Sequence, residues 1–151
     1  MRSAYRILAY ILALEIVVQA AAMVYAVAGL GKWVDGGGVL DKAAFESEDL
    51  SFTGVGGFII HGINGMMLIP LLALILFIVS FFTKLPKAIV TALVLLLLVV
   101  LQVVLGLVGH EIPFVGALHG INALLLFAGA LHAARLASTP KVVVEKETAA
   151  A

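Results

Sequence analysis

Four uninterrupted apolar runs, approximately Ile7 to Leu30, Val55 to Phe82, Ile89 to Val108 and Phe114 to Ala134, limit what this chain can fold into more than any other feature. Each is long enough, at about 1.5 Å per helical residue, to cross a hydrocarbon core roughly 30 Å thick. Backbone polar groups in hydrocarbon must be paired within the segment or around a closed barrel, and the runs lack the period-two alternation of barrel strands. The reading is an all-α polytopic membrane protein, a four-transmembrane-helix antiparallel bundle. Its single domain spans residues 1–138, with an outer loop over 31–54 and a flexible cytoplasmic tail over 139–151. A 64% hydrophobic, 12% charged composition agrees. Arg2 and Arg6 ahead of Ala26-Val27-Ala28 also fit a signal peptide, but the run exceeds a usual signal core and is read as the first span.

The charges are sorted although they sum to zero. Arg2, Arg6, Lys84, Lys87, Arg135, Lys141 and Lys146 flank the runs on one side, whereas Lys32 and Lys42 lie among Asp35, Asp41, Glu46, Glu48 and Asp49 on the other. The positive-inside rule then makes both termini cytoplasmic in a multi-pass cytoplasmic (inner) membrane protein. The long outer connection carries Gly36-Gly37-Gly38 and an interfacial Trp33, and Ala43 to Leu50 is expected to form a short helix covering the outer mouth. Tight connections at Thr83–Lys87 and Gly109–Pro113 set the second, third and fourth spans side by side. Cysteine is absent, which excludes disulfides, thiolate metal sites, cysteine nucleophiles and covalent haem attachment.

Two segments repeat: His61-Gly62-Ile63-Asn64 and His119-Gly120-Ile121-Asn122. Each histidine sits about seven residues, or ~10 Å of helix, inside the outer end of its run. Aligning the motifs pairs the first two helices with the last two as a parallel internal repeat about a pseudo-two-fold axis along the membrane normal, and Gln19 weakly echoes Gln102. An intramembrane histidine is costly and reads first as functional. Two at one depth suggest one shared metal. Zinc ordinarily takes three or four protein ligands, so a haem with His61 and His119 as axial ligands is the leading reading, ahead of another metal, a quinone, or buried hydrogen-bonded histidines. Residues one turn away, Gly57, Gly65 and Asn64 on one helix and Gly116 and Asn122 on the other, complete the candidate cofactor site. Their small size relieves a planar macrocycle, or else allows close helix packing.

The other ionisable groups take lesser roles. The repeat partner of His132 is Leu74, which leaves no second histidine pair. His132 is expected at the inner interface near Arg135, and His110 and Glu111 in the solvated outer connection. Pro70 should kink the second helix. Glu15 is the sole acid inside an apolar run. It is expected to hydrogen-bond Gln19 or Gln102, or else to serve a proton or quinone path.

The segments Leu101-Gln102-Val103-Val104-Leu105-Gly106, Ile112-Pro113, Ala117-Leu118-His119 and Ala123-Leu124-Leu125-Leu126-Phe127 resemble the third and fourth helices of one half of haem A synthase. That family has eight helices in two four-helix halves, each with a histidine on its second and fourth helices toward the outer face. The resemblance covers about residues 100 to 127 closely and the first two helices only by position. It implies that His61 and His119 form a haem-ligand pair. The family's catalytic half has a glutamate three residues before the helix-two histidine and an arginine just after it, where this chain has Phe58 and Gly62, and many members carry an outer cysteine pair absent here. Haem binding is therefore expected and haem hydroxylation is not. The chain is also similar to small four-helix membrane proteins of actinobacteria.

Three functions compete at this point. One is a b-type haem protein, one haem per chain, passing electrons to a redox partner or quinone at the outer mouth. Another is haem handling or modification by a homodimer, and the third is a cofactor-free assembly subunit held by glycine-rich faces. The expected partners are membrane lipid and haem, and nothing points to nucleic acid.

Overall fold

The computed structural model describes residues 1–46 and 50–138. Glu48, Asp49 and the tail, with Lys141 and Lys146, lie outside the described residues. Among those described there are helices and no strands: α1 (Arg2–Asp35), α2 (Lys42–Glu46), α3 (Gly56–Ser80), α4 (Ala88–Gly109) and α5 (Pro113–Ser138). All but α2 are long and apolar enough to cross a membrane.

The expected helix positions hold, and two boundaries move for a physical reason. An apolar run measures the hydrocarbon, whereas a helix continues through the headgroup region, so α1 takes in Arg2 and Arg6 at one end and Lys32, Trp33 and Asp35 at the other. It stops at Gly36, whose N–H donates to the Lys32 carbonyl at 3.1 Å, followed by Gly37 at φ +96°. Left-handed backbone of that kind is where glycine costs least. The expected Ala43–Leu50 helix is the shorter α2, started by the Asp41 carboxylate accepting from Ala44 N at 2.7 Å.

Helix α3 departs from a simple proline kink. Residues Asn64–Leu68 form a π turn, closed by Ile69 N–H donating to the Asn64 carbonyl, one turn ahead of Pro70. Proline cannot donate and its ring crowds the preceding turn, and widening that turn by one residue relieves both.

Helix α1 packs on α3 and α5, and α4 packs on the same two, so α3 and α5 share both neighbours. Toward the end that carries Arg2, Tyr5, Ala9, Leu12, Ala73, Leu76, Ala92, Leu95, Leu126, Ala130 and Ala133 form a closed apolar core. That end is tied across the chain, with Tyr5 Oη donating to the Ala88 carbonyl (3.3 Å) and Arg2 Nε to the Thr83 carbonyl (3.4 Å). At the opposite end small residues let backbones meet. A Cβ on Gly57 would lie 2.3 Å from the Ala22 carbonyl oxygen, and one on Gly109 would lie 2.8 Å from Gly116 Cα. Large apolar side chains such as Leu14, Met67, Leu97 and Leu124 point outward, as they do where the surrounding solvent is lipid.

Candidate functional site

Between the apolar core and the loop end lies a polar layer made from all four long helices. It contains Glu15 and Gln19 on α1, His61 and Asn64 on α3, Gln102 on α4, and His119 and Asn122 on α5. His61 and His119 face each other with ring centroids 6.1 Å apart and planes inclined at 58°. Two imidazoles sharing one metal through bonds of about 2.0–2.1 Å would stand roughly 6.3 Å apart by ring centroid. The observed centroid distance is close to that value. Among the described residues no group of three or more His, Cys, Asp or Glu side chains converges that could hold a metal ion.

On the α4–α5 side the hydrogen bonds agree with one tautomer. His119 Nδ1–H donates to the Gln102 carbonyl at 3.0 Å, and the Gln102 amide donates from Nε2 to His119 Nε2 at 3.1 Å. Asn122 Nδ2 donates to Gln102 Oε1 (2.6 Å) and to the Leu98 carbonyl (2.9 Å). Gly106, one turn beyond Gln102, seats the ring: a Cβ there would come within 3.1 Å of His119 Cε1.

The α1–α3 side uses the same residue types with a different outcome. His61 Nδ1 lies 3.2 Å from the Gln19 carbonyl oxygen, matching the His119–Gln102 contact. The Gln19 amide satisfies its surroundings when its nitrogen faces the histidine. It then donates to the His61 carbonyl (3.0 Å) and approaches Nδ1 at 2.8 Å, while its oxygen accepts from Asn64 Nδ2 (3.0 Å) and Gly65 N (3.3 Å). The two contacts on Nδ1 require opposite tautomers, since a proton there serves the carbonyl and a lone pair serves the amide. Asn64 Nδ2 also donates to Glu15 Oε2 at 2.8 Å, where Asn122 uses the Leu98 backbone. Asn64 Oδ1 is buried without a partner.

Each residue singled out in the sequence has a definite place. Glu15 reaches Asn64 rather than Gln19 or Gln102, because the motif asparagine projects from α3 between Glu15 and Gln19 on successive turns of α1. Gly65 faces the Gln19 amide, Gly57 abuts Ala22 and Ala26 of α1, and Gly116 meets Gly109 of α4. The motif glycines Gly62 and Gly120 have nothing within 4 Å of a built Cβ. Phe58 joins an aromatic cluster at the loop end, edge-on to Phe52, which in turn lies against Trp33. His110 and Glu111 are exposed. His132, also exposed, lines an apolar groove between α4 and α5 with Thr91 and Gly129, away from the polar layer.

Sequence reasoning undervalued the two glutamines and missed Gly106. The available signal was that Gln19 and Gln102 are the only Gln residues in the chain and each lies in an apolar run opposite a motif. Comparison with family models, with curated proteins and with solved structures returned no match to this chain.

Proposed function

We propose that this chain is a membrane haem protein in which His61 and His119 would hold one b-type haem, used for electron transfer. The carrying observation is the pair of imidazoles facing each other at 6.1 Å from helices that share two neighbours. Two protein nitrogens leave most metals under-coordinated, whereas a porphyrin supplies its own four. Both imidazoles have a backbone carbonyl within reach of Nδ1, the arrangement that leaves Nε2 free to donate to a metal. The Gln102 amide, now on His119 Nε2, has to turn aside when that nitrogen ligates.

When bound, the haem supplies one-electron chemistry, and two strong nitrogen ligands suit electron transfer over oxygen activation. The protein contributes orientation. Gln19 and Gln102 hold the imidazoles, and the apolar core excludes water on one side. We read the matched glutamine–histidine–asparagine sets as an internal repeat with a pseudo-two-fold axis, within an antiparallel bundle. The basic end, with Arg2, Lys84, Lys87 and Arg135, is then cytoplasmic. A redox partner or quinone would approach from the loop end.

The visible spectrum of the detergent-purified chain tests the reading. A Soret band with sharp reduced bands of b type, one haem per chain, is expected. A chain that takes up no haem when produced with excess haem overturns it and leaves the polar layer as the glue of an assembly subunit. Haem O supplied in membranes should not become haem A, because Phe58 occupies the position of the acid in the haem A synthase pattern. Accumulation of haem A, stopped by Glu111→Gln, would replace electron transfer by haem modification.

A further inference from the structure

Glu15 is the one acid within an apolar run, and the structure supplies a control for what it does. The α4–α5 side holds its motif asparagine with a glutamine side chain and the backbone carbonyl of Leu98. The α1–α3 side holds its own with a glutamine side chain and a carboxyl. Anchoring the asparagine therefore does not require an ionisable group. The same asparagine carries the unpartnered buried atom, Asn64 Oδ1, on a side chain only 8% exposed.

We propose that Glu15 is an intramembrane proton-binding site, its neutral carboxyl forming a two-hydrogen-bond acid–amide pair with Asn64. Asn64 Nδ2 already donates to Glu15 Oε2 at 2.8 Å. A proton on the other carboxyl oxygen gives Glu15 a donor, and the unpartnered acceptor on the same amide is Asn64 Oδ1. One proton thus removes two penalties, an ionised carboxylate in hydrocarbon and a buried acceptor without a donor. A water or lipid donor is a poorer answer, because Oδ1 is closed to any probe of that size. The pair continues through Asn64 Nδ2 to Gln19 Oε1, and through the Gln19 amide to His61, so the proton sits at the end of a hydrogen-bonded set leading to one imidazole. The other titratable and charged side chains on helices packed against α1 are His61 of α3 and His119, His132 and Arg135 of α5, of which His61 reaches the Gln19 carbonyl and His119 the Gln102 carbonyl. The proposal does not depend on haem being bound.

The test is infrared spectroscopy of the full chain in an ester-free detergent at neutral pH, with and without added haem. A carbonyl band of a protonated carboxyl is expected, displaced by 13C-carboxyl labelling of glutamate but not of aspartate. Glu15→Gln should remove it while keeping both hydrogen bonds to Asn64, and Asn64→Leu should shift it to higher frequency. In Glu15→Asp the band should follow the aspartate label instead, which decides the matter if the glutamine variant fails to fold. Absence of the band from the wild-type chain overturns the proposal, as does its survival in Glu15→Gln or its failure to change label in Glu15→Asp. A haem-free protein that shows the band refutes the haem reading alone.

Discussion

The two sides of the polar layer are built from one residue set, yet they differ in how completely it is satisfied. Around His119 each ring nitrogen has one consistent partner, Gly106 fixes the ring, and α5 runs as an unbroken α-helix. Around His61 the contacts on Nδ1 compete, the asparagine keeps an unpaired oxygen, and the helix widens into a π turn at that same asparagine. One side is a finished hydrogen-bonded joint and the other adds a carboxyl. When a motif recurs, the copy with loose ends is where chemistry beyond packing should be sought, since π turns and unsatisfied groups persist where something compensates for them.

The sharpest way to break this comparison is to delete the rings. His61→Ala and His119→Ala should each lose essentially all retained haem, read from the Soret absorbance per chain, while His132→Ala keeps wild-type content because it lies on the α4–α5 groove. Full occupancy in the His61, His119 double variant would remove the ligand assignment. Next comes the helix contact beneath each motif. Gly57→Ala drives a Cβ into the Ala22 carbonyl and should destabilise by about 1–3 kcal/mol, the usual cost of overpacking, whereas Gly116→Ala meets its nearest neighbour at 3.5 Å and should be tolerated. Thermal denaturation in detergent separates them, and equal midpoints would mean that the α1–α3 contact relaxes freely.

A smaller effect is expected from the asparagines. Asn122→Leu abandons the Gln102 and Leu98 acceptors and should cost roughly 1–2 kcal/mol, near the upper range for hydrogen bonds between membrane helices. Asn64→Leu should cost at least as much, because it breaks the bonds to Gln19 and Glu15 and leaves the neutral carboxyl without its amide partner. A clearly smaller loss would show that Asn64 Oδ1 has no donor in the working protein. The smallest change belongs to Gly62→Ala and Gly120→Ala, which project into open space and should leave the melting midpoint nearly unchanged. A large loss at either would reveal a partner surface over that face.

The four long helices were legible because each apolar run is at least about as long as the hydrocarbon is thick, and the neighbouring histidines because an identical tetrapeptide stands out in a chain of few polar residues. Geometry within the layer was less legible. Glu15 and Gln19 are one turn apart on α1 and Asn64 comes forty-five residues after Gln19, a separation that periodicity cannot order, so the sequence allowed Glu15 to choose a glutamine. Only the crossing of α1 and α3 sets Asn64 between them. Pro70 announced an irregularity but not its kind, since a missing donor can be met by a bend or by a wider turn.

That wider turn also bears on how the two halves align. Up to the motif, corresponding positions are 58 apart, as at His61 and His119 or Asn64 and Asn122. Beyond it the buried positions of α3 are Ile69, Ala73 and Leu76, and those of α5 are Leu126, Ala130 and Ala133, now 57 apart. On the proposed repeat, the π turn is the footprint of a single-residue insertion in the first half, absorbed without turning the rest of the helix out of the core. It makes Ile75, rather than Leu74, the counterpart of His132, and it explains why the likeness between the halves fades immediately after the asparagine. Deleting one residue within 65–68 should restore a continuous α-helix and bring the two halves into a single register.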